Sequence, residues 1–220
     1  MHSKLLNQIK NIKHSFGTKD DPIPKNFKSL WHLMPKWKQT HSTDITVVHK
    51  PNQSCGEVDG LYTSQKATPL AIVTADCVPI LLANKIGDKV AALHAGWRGT
   101  KSKIVFRFLE FLKQQGEKPQ DWIAVLGPAI GPCCYEVSKD LYDEFEKTFA
   151  KNSLVSPALT KKENHLDLPY INFCELKQGG IEEIEILRCC TRCTNSFFSY
   201  RKGDKGKRQY SCIMIEQTEQ

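Results

Sequence analysis

The spacing of apolar side chains divides the chain into short aliphatic runs and a few longer periodic ones. The runs at residues 45–48, 70–74, 78–82, 90–93, 122–126, 184–187 and 212–215 are dominated by aliphatic side chains and bounded by turn residues, which predicts strands. Residues 100–115 place Ile104, Phe108 and Leu112, with Val105 and Leu109, on one stripe of helical period, and Gly116 supplies a stop. That is an amphipathic helix. A second is expected from Ser138 as N-cap through Leu141, Phe145 and Phe149, with Asp140, Asp143 and Glu144 early, where the helix dipole favours acids. A third is expected over residues 169–177, with Asp167 upstream and Gly179 and Gly180 closing it. Loop-rich stretches at residues 20–26, 51–60 and 152–164 connect elements without the composition of linkers, and there is no internal repeat. Strands and helices in irregular order, without the strict alternation of a doubly wound fold, predict an α+β class: mixed β-sheets flanked by helices, in one domain over residues 1–220.

Composition narrows the function classes. With 40% hydrophobic and 25% charged residues, the chain has the make-up of a globular protein and excludes wholesale disorder. Its first fifteen residues carry no continuous apolar segment or small-residue cleavage site, and no run approaches the ~20 apolar residues a membrane helix needs. A soluble cytoplasmic protein with no membrane partner is the expectation. The net charge of +7 favours anionic partners in general. The basic run Arg201, Lys202, Lys205, Lys207 and Arg208 is broken by Gly203, Asp204 and Gly206, so it reads as a solvated hairpin turn, and nucleic acid is not the expected partner. Nine cysteines, an odd number in a chain with no export signal, point to reduced thiols that mostly act as small buried hydrophobes.

Chemistry concentrates in Thr74-Ala75-Asp76-Cys77-Val78-Pro79 and His94-Ala95-Gly96-Trp97-Arg98-Gly99. A turn at residues 84–88 lets the strand after Cys77 pair with the strand that ends at His94, bringing both to the same end of the ladder. A thiolate and an imidazole presented together on rigid strands suit zinc. The bland alternative is a core cysteine and a strand-end histidine bonded to backbone. Asp76 before the cysteine, and Gly96 and Gly99 after the histidine, argue for a site. A third ligand must come from elsewhere, chiefly His41 or His49, and the residues alone do not choose between them. The same Cys77–His94 pair also fits a nucleophile and its base, as in a Cys-His hydrolase or deamidase. Of the other clusters, Cys190-Thr191-Arg192-Cys193 finds no second pair nearby to complete a structural metal site and is assigned to packing. Cys133 and Cys134 fall on a turn that leads Tyr135 and Glu136 toward a substrate pocket, and Phe197, Phe198 and Tyr200 are assigned to the core.

The strings TADCVPILL, HAGWRGT, GPAIGPCCYEV and CTRCTNSFFSYRKGDKGKRQ occur in the order of the motifs of the YfiH or laccase-domain family, which the chain resembles from about Gln39 to Ile215. The resemblance implies a zinc site made from the histidine of a Gln-x-His motif, the cysteine of TADC and the histidine of HAGW. Here these are His41, Cys77 and His94, leaving His49 an ordinary strand residue. It also implies phosphorolysis of adenosine, inosine and methylthioadenosine by inorganic phosphate, with adenosine deamination beside it. Arg98, Arg201 and Lys19 are then the candidate phosphate contacts, and Asp76 is the candidate to orient a ligand or move a proton. Lys19, in His14-Ser15-Phe16-Gly17-Thr18-Lys19-Asp20, stands where similar proteins carry an arginine in a Thr-Arg-Gly-Gly type segment; it keeps the charge but lacks the planar fork. The laccase name raises copper-dependent phenol oxidation, but seven scattered histidines are too few for a multicopper centre.

Overall fold

A computed structural model describes residues 1–149 and 162–217, so the loop expected at residues 152–164 lies, up to residue 161, outside the described residues. Its strands are β1 (Ile12–Phe16), β2 (Lys36–Lys38), β3 (Ile45–Val47), β4 (Ser54–Glu57), β5 (Gly60–Thr63), β6 (Leu70–Thr74), β7 (Val78–Asn84), β8 (Val90–Ala95), β9 (Trp122–Leu126), β10 (Glu183–Ile186) and β11 (Gln209–Ile215). Its helices are α1 (Lys25–Lys28), α2 (Trp97–Lys101), α3 (Ile104–Gln114), α4 (Lys139–Phe149) and α5 (Leu168–Gln178).

The main sheet has the order β10-β9-β7-β8-β5-β3 and mixes antiparallel pairs with parallel β10/β9 and β3/β5 pairs. Alternation along β7 sends Ile80 and Leu82 to one face and Leu81 and Ala83 to the other. The first face is covered by the stripe Ile104, Val105, Phe108, Leu109 and Leu112 of α3 together with Ile171 and Leu176 of α5. The second packs on a three-stranded sheet, β1-β11-β6, through Leu70, Ile72, Ile213 and Ile215. The opposite face of that small sheet carries Ala71, Cys212 and Met214, which pack on Phe27 and Met34. The expected class, mixed sheets flanked by helices, is what the chain forms. Among the described residues no helix is long and apolar enough to cross a membrane.

Local chemistry explains most boundaries. Asp167 caps α5 by accepting the Tyr170 N–H, and Ser138 Oγ accepts from Leu141 N at the start of α4 at 3.3 Å. The stripe expected as one helix over residues 100–115 is instead two, because Lys103 takes a left-handed φ of 63° between α2 and α3. The β7–β8 turn is stitched by Asn84 Oδ1, which accepts from the backbone of Gly87, Asp88 and Lys89. Most of the basic run is exposed, but it is not a hairpin. It is a 3-10 turn over Tyr200–Lys202 and a loop that feed β11, whose partners are β1 and β6.

Candidate metal centre

Register sets the site. In the β7–β8 ladder Val78 faces Ala95 and Pro79 faces His94, so Cys77, one residue before β7, reaches the end of the sheet beside His94. His41 joins them, and one ligand atom from each of His41, Cys77 and His94 lies within 4.8 Å of the others. His49 is exposed just past β3, with its backbone N–H on Gln53 Oε1. Two features that sequence reading did not find bring His41 in. Gln39 docks on β6 like an extra rung, its Nε2 donating to Val73 O and its Oε1 accepting from Val73 N, both at 2.8 Å. Asp59, fully buried, accepts the N–H groups of Thr40, His41 and Ser42 at 3.0, 3.1 and 2.7 Å.

The same carboxylate meets His94 Nδ1 at 2.6 Å, leaving Nε2 as the ring nitrogen for a metal. Burial opposes ionisation of Asp59, but the His94 hydrogen bond and charge and the backbone donors prevail and hold its carboxyl below the usual range. Burial likewise opposes a charged Cys77, yet the His94 charge and hydrogen bonds from His41 and His94 draw the thiol down. His94 is raised in turn, its burial overcome by Cys77 and Asp59. A soft, readily ionised sulfur between two imidazoles is a donor set for zinc or another borderline metal. The space is kept open by Gly96, where a Cβ would meet His41 Cδ2 at 2.9 Å and Cys77 Sγ at 3.0 Å. His41 and Asp76 both adopt positive φ, 63° and 89°, so the backbone is strained at one ligand, His41, and beside another, Cys77.

The three ligands lie in the wall of a cavity of about 940 Å³. Arg98 and Arg201, the candidate phosphate contacts, line it, and so does Arg208, which sequence reading left in the solvated turn. Lys19 does not; its Nζ pairs with Asp204 Oδ2 at 3.1 Å. Asp76 lines the cavity but its carboxylate is engaged, Oδ1 accepting from Thr191 Oγ1 at 2.6 Å and Oδ2 from Arg201 N at 2.8 Å. That suits a supporting role better than proton transfer. Trp31, Trp37, Tyr135, Tyr200 and Tyr210 supply aromatic wall. Of the aromatic residues assigned to the core, Phe197 is buried, but Tyr200 is exposed at the cavity because it sits on the 3-10 turn rather than on a strand.

The assignment of Cys190 and Cys193 to packing holds only in part. Cys134 and Cys190 pack against the main core, but Cys133 and Cys193 are exposed, and all four sulfurs converge within 4.8 Å of one another. Cys133 and Cys134 are the second pair that spacing did not reveal.

The sequence profile of the family described as multi-copper polyphenol oxidoreductase laccase matches residues 10–216, extending upstream of Gln39 where the motifs fade. A purine nucleoside phosphorylase of Clostridium acetobutylicum is 32% identical over 210 residues, covering 94% of this chain and 81% of that protein. Purine nucleoside phosphorylase YfiH of Escherichia coli is 30% identical over 213 residues, covering 93% and 86%. The crystal structure of a Bacillus licheniformis hypothetical protein YfiH superposes with a TM-score of 0.83 at 28% identity, covering 93% of each chain.

Proposed function

The chain belongs to the family described as multi-copper polyphenol oxidoreductase laccase, and from that premise we propose that it is a zinc-dependent purine nucleoside phosphorylase of the cytoplasm. Its substrates in this reading are adenosine, inosine and methylthioadenosine with inorganic phosphate, and adenosine deamination is a lesser activity. The observation that carries the reading is one cavity of about 940 Å³ that joins the His41–Cys77–His94 cluster to three arginines and an aromatic wall. That is room for a nucleoside and an anion side by side. The relatives named purine nucleoside phosphorylase supply the reaction class.

The donor set and the clearance at Gly96 fit a single ion held by His41, Cys77 and His94. When bound, zinc supplies an open Lewis-acid position. Around it the chain's own groups divide the work. Arg98, Arg201 and Arg208 offer an anion charge-assisted hydrogen bonds from planar donors, which orient phosphate toward C1′ of the sugar. Tyr135 and Arg98 are themselves fixed, the guanidinium carbon of Arg201 lying 4.9 Å from the Tyr135 ring centroid and that of Arg98 4.3 Å from the Trp97 ring centroid. Aromatic side chains of the wall stack on the purine. In phosphorolysis a phosphate oxygen bonds to C1′ while the C1′–N9 bond breaks, its electron pair leaving with the base, which takes up a proton. Holding the anion and the base in one cavity converts that encounter into a positioned one.

Zinc is favoured over copper because, of seven histidines, only His41 and His94 meet at this centre with one cysteine, too few imidazoles for a multicopper array. It is favoured over a Cys77 nucleophile because two imidazoles converge on the sulfur, where a nucleophile needs one base. The test is the metal content of protein purified without added metal, with Cys77→Ser and His49→Ala beside it. Cys77→Ser is expected to lose one equivalent of zinc and all phosphorolysis, and His49→Ala neither. Activity in a metal-free chain would overturn the reading.

A further inference from the structure

The geometry points to a second metal site, a structural zinc centre formed by the four thiolates of Cys133, Cys134, Cys190 and Cys193. Zinc bound to four thiolates at ~2.3 Å requires sulfurs roughly 3.8 Å apart at the corners of a tetrahedron. Here the four sulfurs lie within 4.8 Å of one another, with Cys133 and Cys193 at 3.7 Å and Cys134 and Cys193 at 3.2 Å. These distances are too long for a disulfide, whose sulfurs stand about 2.05 Å apart. They are also too short for an iron–sulfur cluster, which spreads its ligands around several metal atoms.

Local structure is built for the same end. Cys190-Thr191-Arg192-Cys193 folds as a knuckle, its first sulfur facing the backbone N–H groups of Arg192 and Cys193 and receiving, from across the site, that of Gly131 at 3.3 Å. Such N–H groups stabilise a thiolate without competing for the metal. The guanidinium of Arg192 lies close enough to Cys134, Cys190 and Cys193 to interact with their charge, offsetting part of the negative charge that four thiolates would leave on a divalent ion. The two strings are far apart in sequence but are tied by the parallel bridge Ala129–Cys190 and by Thr191 N donating to Ala129 O at 3.0 Å.

The site stands directly behind the cavity. Thr191, fully buried between the knuckle cysteines, bonds Asp76 Oδ1, and Ile130 N bonds Asp76 O at 2.9 Å. Tyr135, which follows Cys134, lines the cavity. Zinc at the four cysteines would therefore pin the two loops that hold Asp76, and with it Cys77, in place. This role is independent of the reaction that the cavity performs.

The test uses the Cys77→Ser chain, in which the three-ligand centre is disabled. Isolated without added metal, it should retain one equivalent of zinc, and X-ray absorption should show four sulfurs at about 2.3 Å. Adding Cys193→Ser should remove that equivalent. The unsubstituted chain supplies a check that does not depend on either variant folding. Its exposed Cys133 and Cys193 should resist iodoacetamide until a zinc chelator is added, then become labelled. A metal-free Cys77→Ser chain, iron in place of zinc, nitrogen or oxygen as the main scatterer, immediate labelling of both cysteines without chelator, or a Cys134–Cys193 disulfide in protein isolated without air would each overturn the proposal.

Discussion

Replacing Asp59 by Asn changes one atom and should disable the centre. The carboxylate serves four donors: Oδ1 takes His41 N and His94 Nδ1, and Oδ2 takes Thr40 N and Ser42 N. An amide presents an NH2 to one of those pairs, whichever way it is turned. Two buried donors then lose their acceptor, at about 1–3 kcal/mol each, so the fold should lose roughly 2–6 kcal/mol. For a chain of this size that is about 4–24 °C in Tm. Where the NH2 faces the pair that includes His94, that ring escapes only by moving its proton to Nε2, the nitrogen the metal needs, and replacing such an orienting partner typically weakens metal binding about 10–100-fold. Thermal unfolding in the presence of chelator isolates the hydrogen-bond loss from the effect of bound metal, and competitive titration against a chromophoric chelator reads the affinity. An Asp59→Asn chain with an unchanged Tm and metal affinity would show that this carboxylate organises nothing.

Other outcomes follow from the same geometry. Gly96→Ala, whose Cβ would meet His41 and Cys77, should weaken metal binding at least ~10-fold as displaced ligands do, yet leave Tm in chelator within about 2 °C, because Gly96 has an ordinary φ of -74°. Equal affinity in a direct titration would mean that the ligands sit elsewhere. Glu175 is buried, its Oε2 has no hydrogen-bond partner, and desolvation, only partly offset by Lys103, pushes its pKa up to about 8. An acid raised on folding is protonated in the folded state but ionised in the unfolded one between its unfolded value near 4.5 and about 8, so stability should fall as pH rises through that window, by at most ~5 kcal/mol. Glu175→Gln should flatten that slope in Tm measured from pH 5 to 8.5, and parallel profiles for the two proteins would refute it. Lys19→Ala should leave the phosphate requirement within about threefold of the parent, since Asp204 already holds that ammonium, whereas Arg208→Ala should raise the phosphate concentration for half-maximal rate about tenfold or more. The reverse ranking would put Lys19 at the anion site.

The parts legible in sequence are those governed by local pattern. Aliphatic runs bounded by turn residues located β6 and β9 to the residue, because both bury nearly all their side chains between two covered faces. The hairpin that aligns Cys77 with His94 followed from Asn84 and Gly87 at its turn. His41 came from resemblance rather than from spacing. Strands β1, β2, β4 and β5 were missed because they are short and carry polar or small residues; β1 even buries His14 and Ser15. Asp59 gave no signal, since an aspartate before a glycine reads as a turn. Its role appears only when His94 and residues 40–42 arrive from different strands and loops. The four-cysteine cluster was hidden for the same reason, its halves joined by one bridge at Ala129 and Cys190. Arg208 was assigned to solvent because nothing in a basic run says which member turns inward.

The central claim is that phosphate, not water, splits the nucleoside in the cavity beside His41, Cys77 and His94. Its most direct test follows base and sugar together, with purified enzyme, inosine or adenosine, and phosphate varied from none to saturation. Hypoxanthine or adenine should appear with an equal amount of ribose 1-phosphate, in proportion to the phosphate supplied, and with only slow formation of inosine from adenosine. Base release at the same rate without phosphate, accompanied by free ribose, would make the enzyme a hydrolase, and inosine as the sole and final product of adenosine would make it a deaminase.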